Sequence, residues 1–137
     1  SLHILKTQGS ASTLPMLKLE EGGANGDVAM TFLSEAVSFT MGIDTSLSGN
    51  DFVISRSSAL GTDDVMIIDS FTGNVGIGTA TPATPLDINA DSVRVRTSQT
   101  PASNGTGIQG EIAWDASYVY VCTATDTWKR AALTGGY

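Results

Sequence analysis

The side chains with chemistry to offer crowd the end of the chain, where about thirty residues hold both tryptophans and all three tyrosines. Trp114, Asp115, Tyr118, Tyr120 and Trp128 fall in one short stretch of it, with Asp126 among them. An aromatic ring beside a carboxylate suits a sugar: the ring stacks on a pyranose face and the carboxylate accepts from its hydroxyls. In that reading the four aromatics form a platform, with Asp115 and Asp126 as acceptors. The same residues also read as the core of a small β lobe, since each aromatic buries a large apolar area. Nothing in the spacing puts the rings on one exposed face, which favours the core.

Other catalytic constellations fail on residue type or spacing. A Ser/His/Asp triad would have to use His3, near a frayed terminus. Cys122 alternates with Tyr120 and reads as a small buried hydrophobe, with no histidine beside it to raise a nucleophile. Asp63 and Asp64 are neighbours, so on a strand they point to opposite faces and cannot flank one glycosidic bond. Residues 44 to 51, DTSLSGND, start like a calcium loop, with oxygens at positions one, three and five and glycine at six. Position twelve is Ser55 where a bidentate glutamate belongs, so a polar turn is expected. Gly73, Gly76 and Gly78 do not make a dinucleotide fingerprint, and no phosphate-binding lysine follows them. Asn104-Gly-Thr fits a glycosylation sequon, which is used only in a glycosylating secretory pathway. No catalytic residues, no metal and no cofactor are expected, and the chain reads as a non-enzyme.

Charge narrows the partners. Seven Lys plus Arg against fourteen Asp plus Glu leave a net charge of −7 over 137 residues, with no basic run longer than Lys129-Arg130. Phosphate binding needs clustered cations, so nucleic acid and anionic membrane surfaces are not expected partners. One cysteine excludes an internal disulfide framework, and one histidine leaves too few soft ligands for zinc. No apolar run reaches the roughly 18 residues of a spanning helix, so membrane insertion is not expected. A chain that opens on Ser1 reads as a fragment or a processed product.

The positioning elements are strands. Apolar residues alternate with polar ones at Val37, Phe39, Met41 and Ile43. The same pattern recurs in shorter form at Leu17/Leu19, Val28/Met30/Phe32, Phe52/Ile54, Val65/Ile67, Val75/Ile77, Leu86/Ile88, Val93/Val95, Ile112/Trp114 and Tyr118/Tyr120/Cys122. Period two marks half-buried strands, and glycine with Asn/Asp clusters between them marks turns. About ten short strands and no helical periodicity predict an all-β protein. Composition shifts near residue 97, dividing the chain into an aliphatic region over 1–96, a polar linker or long loop over 97–107 and an aromatic β lobe over 108–137.

Within TGNVGIGTATP, residues 72 to 82, Val75 and Ile77 face one way while Gly76 and Gly78 present nothing on the other. Bare glycines on one strand face admit a second backbone or a bulge. This block follows MGIDTS from Met41, NDFVIS from Asn50 and DVMIID from Asp64, and it precedes Leu86-Asp-Ile. The whole series resembles a segment recurrent in bacteriophage tail fibres and tailspikes. GEIAWDASYVYVCTATDTWKRAAL, residues 110 to 133, is similar to C-terminal modules of phage virion proteins, ending on Trp-Lys-Arg.

The resemblance implies an intertwined homotrimer of short antiparallel strands, a β-prism or triple β-helix, with Val75, Ile77, Leu86 and Ile88 as interface candidates. Glycines would let neighbouring chains cross at close range. Many such fibres carry an autocleaved chaperone domain after this region; none is expected to follow Tyr137 here, so assembly would proceed without it or after its loss. The expected role is a virion protein, a distal tail fibre attaching to a host glycan or surface protein, with other virion proteins and its own copies as partners. Head decoration or a purely structural shaft is the alternative, and polysaccharide cleavage a more remote one.

Overall fold

The computed structural model describes residues 19–20, 26–47 and 49–135. His3, Leu17 and most of the turn cluster at 21–27 lie outside them. The chain divides into two units, Ser1–Asp91 and Ser92–Tyr137. All the regular elements of the described residues are strands.

In the first unit the alternating segments become β1 (Val28–Ser34), β2 (Val37–Asp44), β3 (Asp51–Ser55), β4 (Asp64–Ile68), β5 (Val75–Ile77) and β6 (Leu86–Ile88). They form one open sheet in chain order. The pairs from β1 to β5 are antiparallel, as expected, but β6 runs parallel to β5, Val75 opposite Leu86 and Ile77 opposite Ile88. Parallel neighbours normally need a crossover of about a dozen residues or more. Here eight residues suffice because side chains pin them: Asn74 Nδ2 donates to Pro82 O at 3.1 Å, and the Ala83 amide donates to Asp87 Oδ2 at 2.8 Å.

Register sorts the side chains into two unlike faces. One carries Met30 and Phe32 of β1, Phe39 and Met41 of β2, and Phe52 and Ile54 of β3. It continues through Met66 and Ile68 of β4 to the four residues named above on β5 and β6. The opposite face carries Thr40, Asp44, Asp51, Val53, Ser55, Ile67 and Gly76. The small core lies on that more polar face, where the β3–β4 connection lays Leu60 over Val53 and Ile67, with Leu47 against them. Thr40 Oγ1 donates to Ser57 O at 2.8 Å and holds that connection down. The apolar face stays open: Phe32 is 54% exposed, Phe39 44% and Leu86 59%.

Gly76 is buried because its own chain folds onto it. A Cβ there would meet Thr79 O at 2.5 Å. The close approach expected of neighbouring chains at this glycine is made by the loop after β5, two residues beyond the strand.

Asp44 and Asp51 face each other across β2 and β3, and both are buried. Asp44 Oδ1 accepts from the amide and hydroxyl of Ser46, at 2.8 and 2.6 Å, while Oδ2 has no hydrogen-bond partner. Opposed like charges and an unsatisfied buried oxygen both oppose folding. Asp44→Asn keeps the Oδ1 acceptor, and we expect it to raise stability by up to about 1 kcal/mol in denaturant unfolding near neutral pH.

The second unit is a three-stranded antiparallel sheet of β7 (Ile112–Trp114), β8 (Tyr118–Ala124) and β9 (Thr127–Ala132). β9 escapes sequence reading because Lys-Arg-Ala-Ala breaks apolar alternation; pairing with β8 imposes the strand. Val93 and Val95, expected in a strand, lie outside any, and both are exposed. Segment 97–107 is bonded into this unit: the Gln99 amide donates to Trp114 O at 2.8 Å and the Trp128 amide to Ser103 O at 3.0 Å.

Candidate functional site

The C-terminal sheet separates the aromatics that the sequence places together. Ala113, Tyr120, Cys122 and Trp128 make one buried cluster, with Tyr118 packed against it. Trp114, next to Ala113 on β7, points to the other face, and its Nε1 donates to Val95 O at 2.7 Å. Trp128 is 7% exposed and its Nε1 is shared between Gly105 O at 3.1 Å and Thr106 O at 3.3 Å. Segment 103–107 therefore roofs the indole. A Cβ at Gly107 would fall 2.6 Å from Trp128 Nε1, so only glycine lets the roof close.

Asp115 sits at the tight turn between β7 and β8 and organises it. Its Oδ1 accepts from the amides of Ser117 at 2.7 Å and Tyr118 at 2.8 Å. Its Oδ2 accepts from Tyr120 Oη at 2.5 Å and Thr100 Oγ1 at 3.1 Å. The Tyr120 hydroxyl is the main cause, with the Ser117 amide next, that holds this carboxyl down to about 2; partial burial opposes them. Tyr120 is reciprocally raised, first by its bond to Asp115. Asp126 plays a similar local part, its Oδ1 accepting from the Gly107 amide at 2.9 Å.

The folded pKa of Asp115 lies below the roughly 3.9 of an unfolded aspartate. Its contribution to stability is therefore complete above about pH 4 and is lost as pH falls toward 2. Following tryptophan fluorescence through acid unfolding should show this loss, and Asp115→Asn should flatten the acid limb.

One position escaped sequence reasoning. Arg130 lies opposite Tyr120 across β8 and β9, and its guanidinium carbon stands 4.0 Å above the centre of the Tyr118 ring. Tyr118 and Tyr120 are themselves tilted together with ring centres 5.9 Å apart. The signal was the two-residue step from Trp128 to Arg130, which puts both on one strand face. Beside them a cleft of about 470 Å³ opens between residues 100–103 and this face. Among the described residues no group of three or more acidic, histidine or cysteine side chains is placed to hold a metal ion.

Fold and site define an all-β protein with one open sheet bearing an apolar face and a separate lobe in which an aromatic core lines a cleft. No protein-family model matches the chain. Over 54 residues it is 44% identical to a depolymerase of Klebsiella phage K64-1 named as specific for the K30/K69 capsule. The matched stretch is 39% of this chain and 7% of that relative's length. The expectation of a non-enzyme is overturned by this match, because the similar protein is an enzyme. Residue-by-residue reading looks for acids at a fixed spacing, and two carboxylates brought together by folding leave no such trace.

Proposed function

We propose that this chain works as part of a phage tail fibre or spike of the capsule-degrading kind, holding the particle on a capsular glycan of the host. The observation that carries the proposal is the apolar face of the six-stranded sheet. Large side chains from every strand share it, and no described segment of the chain covers it. Exposed apolar patches of that continuity mark association surfaces. The occupant is a second and third copy of the same sheet, as the resemblance to trimeric phage fibres implies. Val75, Ile77, Leu86 and Ile88 form one end of the buried seam, with Phe32 and Phe39 at the other.

The capsule depolymerase similarity supports a glycan as the surface to which the assembly attaches. It also supports cleavage of that glycan by the complete protein. Purified protein mixed with capsular polysaccharide should co-sediment with it and, in a complete protein, release reducing ends. A protein that is trimeric by light scattering yet ignores every capsular polysaccharide offered would favour a shaft or decoration role instead.

A further inference from the structure

We infer that the cleft of the C-terminal unit binds a carboxylate-bearing sugar residue, with Arg130 as the group that selects the acid. This deepens the proposed attachment to a capsular glycan and rests on that reading.

Volume comes first. About 470 Å³ lies within the range of roughly 300–1,000 Å³ typical of small-molecule sites. The walls differ in chemistry. Residues 100–103 form one side, where the Thr100 hydroxyl already donates to Asp115, while Tyr120, Trp128 and Arg130 form the other. Lys129 also borders the cleft, but strand alternation sends its side chain to the opposite face of the sheet, so Arg130 is the cation of the site.

Charge comes second. The guanidinium is held over the Tyr118 ring, and among the described residues no carboxylate forms an ion pair with it. Asp115, close by in the network, keeps its charge but makes no direct ion pair with Arg130, since both its oxygens already accept two hydrogen bonds each from other groups. Arg130 also interacts with the Tyr120 hydroxyl, and the remaining N–H groups of the stacked guanidinium are left to meet a carboxylate. The surrounding chain agrees: residues 92–137 carry four cations against three acids, whereas residues 1–91 carry three against eleven. An acidic polysaccharide would be repelled by the first unit and admitted at the second.

Trp128 lies in the wall, so binding can be read directly. The full chain would be titrated with a glucuronate-containing tetrasaccharide and with a neutral tetrasaccharide of the same length, following tryptophan fluorescence and the Trp128 Nε1–H resonance. We expect saturable shifts for the acidic sugar and at least tenfold weaker binding of the neutral one. Arg130→Gln should abolish the preference, and Arg130→Lys, which keeps charge and loses the fork, should fall between. Equal binding of both sugars, or an unchanged preference in a folded Arg130→Gln protein, would overturn the inference. So would shifts confined to residues away from the cleft, or tighter binding of inorganic sulfate or phosphate than of the uronate. If the wild-type protein sediments with capsule but shows no response at Trp128, glycan attachment stands and this site does not; if neither occurs, both fail.

Discussion

If the open sheet face is the seam between copies, as proposed above, aspartate in place of Phe39 or Ile54 is expected to leave the protein as single chains. Both side chains sit on the open face, Phe39 paired with Phe32 and Ile54 set between Met41 and Met66. Phe39 is 44% exposed in the single chain, so its replacement removes little packing within one copy. At a shared apolar seam the same change strips about 1.5–3 kcal/mol of burial from each copy and adds the several kcal/mol of a desolvated carboxylate. In the proposed trimer three copies would multiply the effect. Light scattering should give the mass of one chain for the variants, against the mass of three for the unaltered protein. Ser38→Asp, one residue away on the opposite face, should leave assembly intact. If Phe39→Asp and Ile54→Asp both remain trimeric, the copies meet through some other surface.

Truncation of Trp128 is the largest effect expected within a single chain. The indole is the biggest member of a core that otherwise has Ala113, Tyr120 and Cys122, and its Nε1 also fastens the 103–107 roof. Large-to-small changes of this kind cost about 3–5 kcal/mol. A unit of this size buries too small a fraction of its surface to absorb such a loss. Trp128→Ala should abolish hydrogen-exchange protection across β8 and β9. Trp128→Phe should keep most of the packing and lose the two Nε1 bonds, at a cost of about 1–2 kcal/mol. Retention of full protection in Trp128→Ala would mean that Tyr120 and the strand pairing suffice without the indole.

The two variants read different kinds of burial. Phe39 is apolar surface that its own chain leaves exposed, whereas Trp128 is apolar surface already covered by its own chain. Sequence composition treats them alike, since both are aromatic residues in alternating strands.

Strand content was legible because period two is a local property: β1 to β8 follow alternations visible in the chain. β9 was not, because a strand can be imposed by hydrogen bonding to its neighbour whatever its own pattern. Val93 and Val95 show the converse, alternation without a partner and hence without a strand. The four interface candidates do share a face: alternation sets Val75 with Ile77 and Leu86 with Ile88, and the parallel register places one pair opposite the other. That Met30, Phe32, Phe39, Met41, Phe52, Ile54, Met66 and Ile68 continue the same face depended on register, which a single residue of slip would have reversed.

By itself the sequence determined an all-β chain, a composition change between an aliphatic and an aromatic part, and the resemblance to phage fibres, all of which reside in neighbouring residues. The tertiary structure decided the rest. It sent Trp114 to one face and Trp128 to the other, gave Gly76 to its own loop, and closed Asp115 with four donors. It also left Arg130 open beside a cleft, because which groups satisfy one another depends on distances set by strand pairing and loop return that no local pattern encodes.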